Sequence, residues 1–332
     1  MSSIVLLPAS FAVLLAGALL FTNAIEWLGS KLDLGQGAVG SLLAAVATAL
    51  PESLIPVVAI IEGGPEAEDV AIGAIIGAPL LLATIAMALV GVAALIYRDR
   101  RQQSLACSVH LPTLKRDLGF FMACFSVALL LGLGAPRQVQ VVGAVLLVLA
   151  YAAYARWTLR HSGEVESEEE LKPLIMDRTR GDPPAMSTVV LQLFVALGAI
   201  VGGAEIFVEQ VLHVADSVGL EPLLLSLVLA PFATELPEKA NSFFWVRDGK
   251  DSLALGNITG AMVFQSTLPV AIGLAFTSWE LDSYAILAGC LALAGGLVAI
   301  MTLQIRRRFG GRAILLWALL YGAFVAYVVV TA

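Results

Sequence analysis

The sequence predicts an all-α polytopic membrane protein of ten transmembrane helices, arranged as two inverted five-helix repeats. Three observations predict it. Ten apolar runs of near-bilayer length divide the 332 residues. Basic residues alternate between the connections joining those runs. Paired sequence motifs recur five runs apart.

Hydrophobic residues make up 59% of the chain and charged residues 14%, whereas soluble domains carry about 45–50% and about 25%. The runs fall at roughly 4–28, 36–61, 69–96, 118–135, 138–159, 187–213, 220–245, 252–277, 282–304 and 312–331. Each is near the ~20 residues a helix needs to cross a bilayer core. They are too long and continuous for barrel strands, and helices satisfy their own backbone groups in lipid. Met1 to Leu20 lacks a basic start and continues past the length of a signal peptide, so it reads as the first span. The three cysteines, Cys107, Cys124 and Cys290, have no metal-site or disulfide spacing.

Of the 19 Lys and Arg residues, all but Arg137 and Lys239 fall in the odd-numbered connections or at their borders. Arg137 lies in the fourth connection, and Lys239 lies inside the seventh span. Basic loops stay in the cytoplasm, which predicts both termini outside and an integral protein of the plasma (inner) membrane. The basic residues are scattered through short loops, so no nucleic-acid partner is indicated; the partners are the lipid bilayer and inorganic cations. Nothing in the sequence specifies an oligomeric state. The polar stretch 161–185, with Glu168 to Glu170 and Pro183-Pro184, reads as a solvated cytoplasmic linker. It separates a first half, 1–160, from a second, 186–332.

The second span holds Ala47-Thr48-Ala49-Leu50-Pro51-Glu52, and the seventh holds Ala233-Thr234-Glu235-Leu236-Pro237-Glu238. In the next span of each half, Ala71-x-Gly73-x-Ile75-x-Gly77-Ala78 matches Ala254-x-Gly256-x-Ile258-x-Gly260-Ala261. The repeat motifs cover 40–79 and 225–265. Five spans separate the copies, so they cross the membrane in opposite directions, and inverted repeats with interrupted helices mark secondary transporters.

The motif chemistry suits a cation. A mid-span carboxylate is costly unless it faces a partner, water or an ion. Each proline removes the helix bond of the carbonyl four residues back, that of Ala47 or Ala233. Thr48 and Thr234 lie one turn before Glu52 and Glu238, on the same face. Two copies meeting would make an oxygen cage of the kind hard cations take. Glycines 73, 77, 256 and 260 form small-x-x-x-small pairs that admit close helix approach. Asn257 is a ligand, an orienting hydrogen-bond partner or interhelical glue. Glu235 either adds a ligand or pairs with Lys239 one turn on, pairing being favoured because a buried unpaired Lys is costly. Glu26 and Glu209, near span ends, line a pathway or face water at the interface. No His-Glu-x-x-His or nucleophile–base pair indicates an enzyme, and no cofactor is called for beyond the transported cation.

These residues resemble the sodium/calcium exchanger superfamily of calcium/cation antiporters, whose two repeats carry a G-T-S-x-P-E element and then a G-N-x-x-G-S-N element. Ala233 to Glu238 and Gly256 to Ala261 carry the match, with Gly203-Ala-Glu-Ile-Phe-Val-Glu209 before them. The resemblance implies a ten-helix inverted-repeat fold and alternating access, with spans one and six as gating helices. It further implies Ca²⁺, or another divalent cation, exchanged against H⁺ or Na⁺. Glu52 and Glu238 carry over as central ligands, and Thr48 and Thr234 as oxygen donors. Gln265 stands where the family often has an Asn and could supply an oxygen. The family serine after the threonine is Ala49 or Glu235 here, and the residue closing the second element is Pro79 or Met262. Ala74 replaces the first Asn in the first copy. These departures favour proton coupling, since a buried carboxylate cluster has raised, coupled pKa values. A cation channel and a transport-inactive scaffold with a structural Glu/Lys network are the alternative readings.

Overall fold

The computed structural model describes residues 3–31, 52–99, 104–107, 109–161, 172–177 and 184–331. Every apolar run contributes helix among these residues. The helices are α1 (Ser3–Lys31), α2 (52–62), α3 (Pro65–Leu81), α4 (Met87–Ile96), α5 (Leu111–Leu131) and α6 (Arg137–His161). The second half adds α7 (Met186–Val218), α8 (Pro222–Arg247), α9 (Asp251–Gln265), α10 (Leu268–Phe276), α11 (Ser283–Ala299) and α12 (Gly311–Thr331). Among the described residues, 7 helical stretches are long and apolar enough to cross a membrane.

Local chemistry sets several boundaries. Proline opens α3 and α8, where its missing N–H would be unpaired anyway. Gly219 ends α7 with φ 70°, the left-handed turn glycine adopts without a Cβ penalty. The Asp282 carboxylate accepts from the Ala285 N–H at 2.7 Å and caps α11. Arg137 donates to the carbonyls of Leu274 at 2.8 Å and Thr277 at 2.7 Å, and also to that of Ala275. The basic residue that stood apart from the alternation thus caps the carbonyl end of α10.

The two halves depart from regular helix at matching places. A π segment, Leu82–Ala86, joins α3 to α4, and a turn at Ser266 and Thr267 separates α9 from α10. In the register that aligns the Gly-x-Ile-x-Gly-Ala motifs, Thr84 corresponds to Thr267 and Leu80 to Val263. The Thr84 hydroxyl donates to the Leu80 carbonyl, and that of Thr267 to Val263 at 2.9 Å. This back-bond competes with the helix ladder and bends the chain. By contrast α8 runs unbroken through Pro231 and Pro237. The expected interruption of the seventh span is therefore absent as a helix break. Proline here removes one hydrogen bond while neighbouring helices hold the chain in register.

Packing forms two large core clusters, with α3 and α8 contributing to both. One core cluster joins α1, α2, α7, the start of α3 and Ala230 of α8. A larger cluster joins the rest of α3 with α4, α5, α9, α11 and α12. The helices α1 and α7 run together along their length. A Cβ on Gly17 would stand 2.8 Å from Ile200 Cγ1, so this contact requires glycine. Large apolar side chains point outward from α6, α7 and α12, for example Leu146, Phe194 and Val330, as a lipid-facing surface would.

Connections from the two halves meet in pairs. The third and ninth connections pair through Cys107 N–H to the Arg307 carbonyl at 3.0 Å and Phe309 N–H to the Leu105 carbonyl at 2.9 Å. On the opposite face Ser278 N–H donates to Glu68 Oε2 at 3.1 Å, joining the eighth and second connections. The linker differs from the solvated stretch expected. Its described residues 172–177 dock on α1 and α7: Trp27 Nε1 donates to the Lys172 carbonyl at 2.9 Å. The Ile175 N–H donates to Asn23 Oδ1 at 3.0 Å, and the Met176 N–H to Gln192 Oε1 at 2.9 Å. Leu174 is buried with Ala24, Trp27 and Val189. Burying that side chain and pairing these amides outweighs the loss of solvent.

Candidate functional site

The elements that carry the candidate residues converge where α2, α3, α8 and α9 pack. Ile55 of α2 and Ala230 of α8 share a core cluster with Val70 and Ala74 of α3. The close approach is made by glycine. A side chain at Gly77 would strike the Leu227 carbonyl and lie 2.8 Å from Pro231 Cγ, while one at Gly73 would strike the Leu223 carbonyl. The predicted packing role therefore holds for Gly73 and Gly77. At Gly256 and Gly260 an added Cβ would meet nothing within 4 Å.

Glu52 begins α2 and is 8% exposed. Ala47 and Thr48 lie outside the described residues. On α8, Ala233 is buried, and the buried Thr234 hydroxyl donates to the Ala230 carbonyl at 3.1 Å. That proton is spent on the helix, leaving oxygen lone pairs. Glu238 is one turn further along α8; its side chain lies outside what is described.

Glu235 is fully buried, at 0% exposure, and Lys239 is 1% exposed. Gln265 Nε2 reaches across from α9 to Glu235 Oε1 at 3.1 Å. Lys239 Nζ stands 3.2 Å from Glu235 Oε2. The structure thus forms the favoured Glu235–Lys239 pair, and Gln265 presents its amide nitrogen to that pair. Asn257 sits elsewhere on α9, where its Nδ2 donates to Ser242 Oγ of α8 at 3.4 Å. Ser242 in turn donates to the Ala254 carbonyl at 3.3 Å. Asn257 thus links α9 to α8 through this contact.

Two further features stand out, the first unanticipated and the second including Glu209, which was expected to line a pathway or face water. Asp117 of α5 is buried and accepts from Tyr154 Oη at 2.7 Å, Arg116 Nε at 2.8 Å and Thr259 Oγ1 at 3.0 Å. It latches α9 to α5 and α6. Its signal in the sequence was an ionisable residue followed by an apolar run. The second is a cavity of about 520 Å³ between α2 and α7, lined in part by Val58, Glu62, Glu205, Glu209 and His213. It starts at Val58, six residues beyond Glu52 and about 9 Å along the helix. Partial burial raises the Glu62 pKa from its ordinary value, and the charges of Glu205 and Glu209 raise it further.

Comparison with known proteins places this architecture. The family described as sodium/calcium exchanger protein matches residues 2–160 and 188–330. An uncharacterized membrane protein of Methanocaldococcus jannaschii is 24% identical over 269 residues, covering 79% of this chain and 80% of its own. Among solved structures, the H⁺/Ca²⁺ exchanger CAX superposes with a TM-score of 0.76 at 21% identity, covering 99% of this chain and 82% of its own. The sodium-calcium exchanger NCX_Mj superposes with a TM-score of 0.60 at 18% identity, covering 98% of both chains. Glycine-sealed helix contacts, buried carboxylates within apolar spans and a family match across both halves converge: this chain is a member of the sodium/calcium exchanger family of membrane cation antiporters.

Proposed function

We propose that the protein is a secondary active antiporter exchanging Ca²⁺, or another divalent cation, against protons by alternating access, with Na⁺ as the other counter-ion to be tested. The observation that carries this reading is the burial of Glu52 at the head of α2, where it shares a core cluster, through Ile55, with the Thr234-bearing helix. A buried carboxylate in a span has to meet a partner, water or an ion. The central site comprises Glu52 and Glu238, with oxygens from Ala47, Thr48, Ala233 and Thr234. In this reading the ten spans form two inverted five-helix repeats about that site, divided by the linker 161–185. The protein lies in the plasma (inner) membrane, with both termini outside and the basic loops cytoplasmic.

Proton coupling is supported by the ligand chemistry. Among the positions where the family's coordinating side chains stand, Ala49, Ala74, Pro79 and Met262 offer no side-chain oxygen, whereas Glu235 and Asn257 do. Clustered carboxylates can instead trade a divalent cation for protons. The helices α1 and α7 pack as one unit bridged by residues 172–177, which suits a pair that slides against the rest of the bundle.

The test uses purified protein in liposomes loaded with a calcium indicator. A proton gradient and then a sodium gradient are imposed, for the native chain, Glu52→Gln and Glu238→Gln. Flux that follows the proton gradient and vanishes in both variants is the expected outcome. No flux of calcium, magnesium or manganese under either gradient would sink the reading. The scaffold alternative, which the Glu235–Lys239 pair itself favours, predicts that null result.

A further inference from the structure

The two copies of the Pro-Glu element differ by more than a ligand. One residue after the threonine, the first copy has Ala49 and the second has Glu235. One residue after the motif glutamate, the first copy has Ser53 and the second has Lys239. An acid and a base therefore occupy one copy at the two positions where the other has small neutral residues. They lie one helical turn apart on α8, and both are buried.

The geometry is that of a carboxylate holding a cation. Glu235 Oε1 is taken by Gln265 Nε2 at 3.1 Å. Glu235 Oε2 is buried with no hydrogen bond among the described residues, and faces Lys239 Nζ at 3.2 Å. That contact is charge against charge rather than an aligned donor. The Lys ammonium is a compact point charge on a four-carbon stem, comparable in role to a small monovalent ion. An ion pair in an apolar interior is often no more stable than apolar residues of the same volume. Its place beside the motif glutamate therefore calls for a functional account.

We propose that the Lys239 ammonium is a tethered cation filling a monovalent-cation subsite at the Glu235 carboxylate, which Gln265 holds in place by donating to Oε1, so that the exchanger runs with that subsite closed to sodium. The inference rests on the exchange reading given above and deepens it by assigning the residue that excludes one class of counter-ion. A cation held on the same helix competes at a far higher effective concentration than a free ion, and it cannot leave with the transported one. Removing it leaves the Glu235 carboxylate open to sodium.

The experiment compares native protein, Lys239→Met, Lys239→Arg and Glu235→Gln/Lys239→Met, purified full length in detergent. Thermal unfolding is followed in sodium chloride against choline chloride. Sodium is expected to raise the midpoint of Lys239→Met by roughly 3 °C at tenfold excess over its dissociation constant, and to leave the other three unmoved. Equal midpoints in both salts for Lys239→Met overturn the proposal, as does an equal sodium shift in native protein or in the double variant. Should Lys239→Met be unstable in choline, recovery of its monodisperse fraction in sodium is the expected result. Failure to recover beside a well-folded double variant overturns the proposal. Calcium uptake by the native protein under a proton gradient is measured in parallel. Uptake without a sodium effect in Lys239→Met removes this inference alone, whereas absence of uptake under every gradient removes the exchange reading.

Discussion

Around α8, Glu235 lies against Lys239 and Gln265. In the first half the corresponding positions are Ala49, Ser53 and Leu82. The backbone, in contrast, treats the halves alike: Thr84 and Thr267 make the same back-bond four residues upstream, and each marks a departure from regular helix. The two motif copies share the bend and differ in charge. Backbone irregularities position whole helices and are hard to alter singly. A mutually neutralising acid and base can be added together, because neither is then left as a bare charge in low dielectric.

The largest effect expected from this comparison is at the residue the copies share. Glu52→Gln removes a charged candidate ligand, and exchange is expected to fall by about 100-fold or more, as a loss of about 3 kcal/mol dictates. Calcium uptake in proteoliposomes reads it. A Glu52→Gln variant that keeps native flux would break the equivalence of the two copies.

The next effect is on stability and concerns the residues the copies do not share. Glu235→Gln alone leaves the Lys239 ammonium beside a neutral amide and is expected to cost about 3–5 kcal/mol. The double variant Glu235→Gln/Lys239→Met should recover most of that loss. Denaturant or thermal unfolding of the two single variants and the double measures the coupling. Additive losses would show that the pair does not act as a unit.

Smaller still is the contrast between glycines. Gly77→Ala forces a methyl into the Leu227 carbonyl and Pro231, an overpacking cost of about 1–3 kcal/mol. Gly256→Ala meets nothing within 4 Å, and its midpoint should move little. Thermal unfolding of both variants side by side sharpens or removes this asymmetry between the halves.

The smallest effect lies at the acidic cavity. Glu62→Gln should raise the half-saturating calcium concentration by about 2–3-fold at low ionic strength, an effect that salt screens away. The Glu62 pKa is raised, so its charge is lost at a higher pH than an ordinary carboxylate as the medium is acidified. The difference between native and variant is therefore present near neutral pH and disappears as pH falls into that raised range. A difference that persists or grows on acidification would exclude Glu62 as its source.

Much of the helix plan was readable along the chain, because a span must satisfy its own backbone and carry about twenty apolar residues. The uneven placing of basic residues among the connections was readable too, and connections from the two halves meet at Cys107 with Arg307 and Ser278 with Glu68. Glu235 and Lys239 were readable as a pair because a spacing of four residues places two side chains on one helix face. The docking of residues 172–177 was not readable. Lys172, Pro173 and Leu174 look like linker residues until Asn23, Trp27 and Gln192, far away in sequence, supply partners. Nor was the continuity of α8 through Pro237 readable, since proline fixes the loss of one bond but not whether neighbouring helices hold the remainder.

By itself the sequence determined the apolar helices, the uneven placing of basic residues among the connections, the repeated Pro-Glu and glycine motifs and the membership in an exchanger family that those motifs carry. Each follows from local constraints: helix periodicity, bilayer length and the cost of unpaired charge in lipid. Tertiary structure alone decided which partner each polar group takes. It gave Gln265 to Glu235, Asn257 to Ser242, Thr259 to Asp117, and the linker backbone to α1 and α7. Those choices depend on which helices touch and at what register, and no spacing along one helix encodes the neighbour that another helix brings to it.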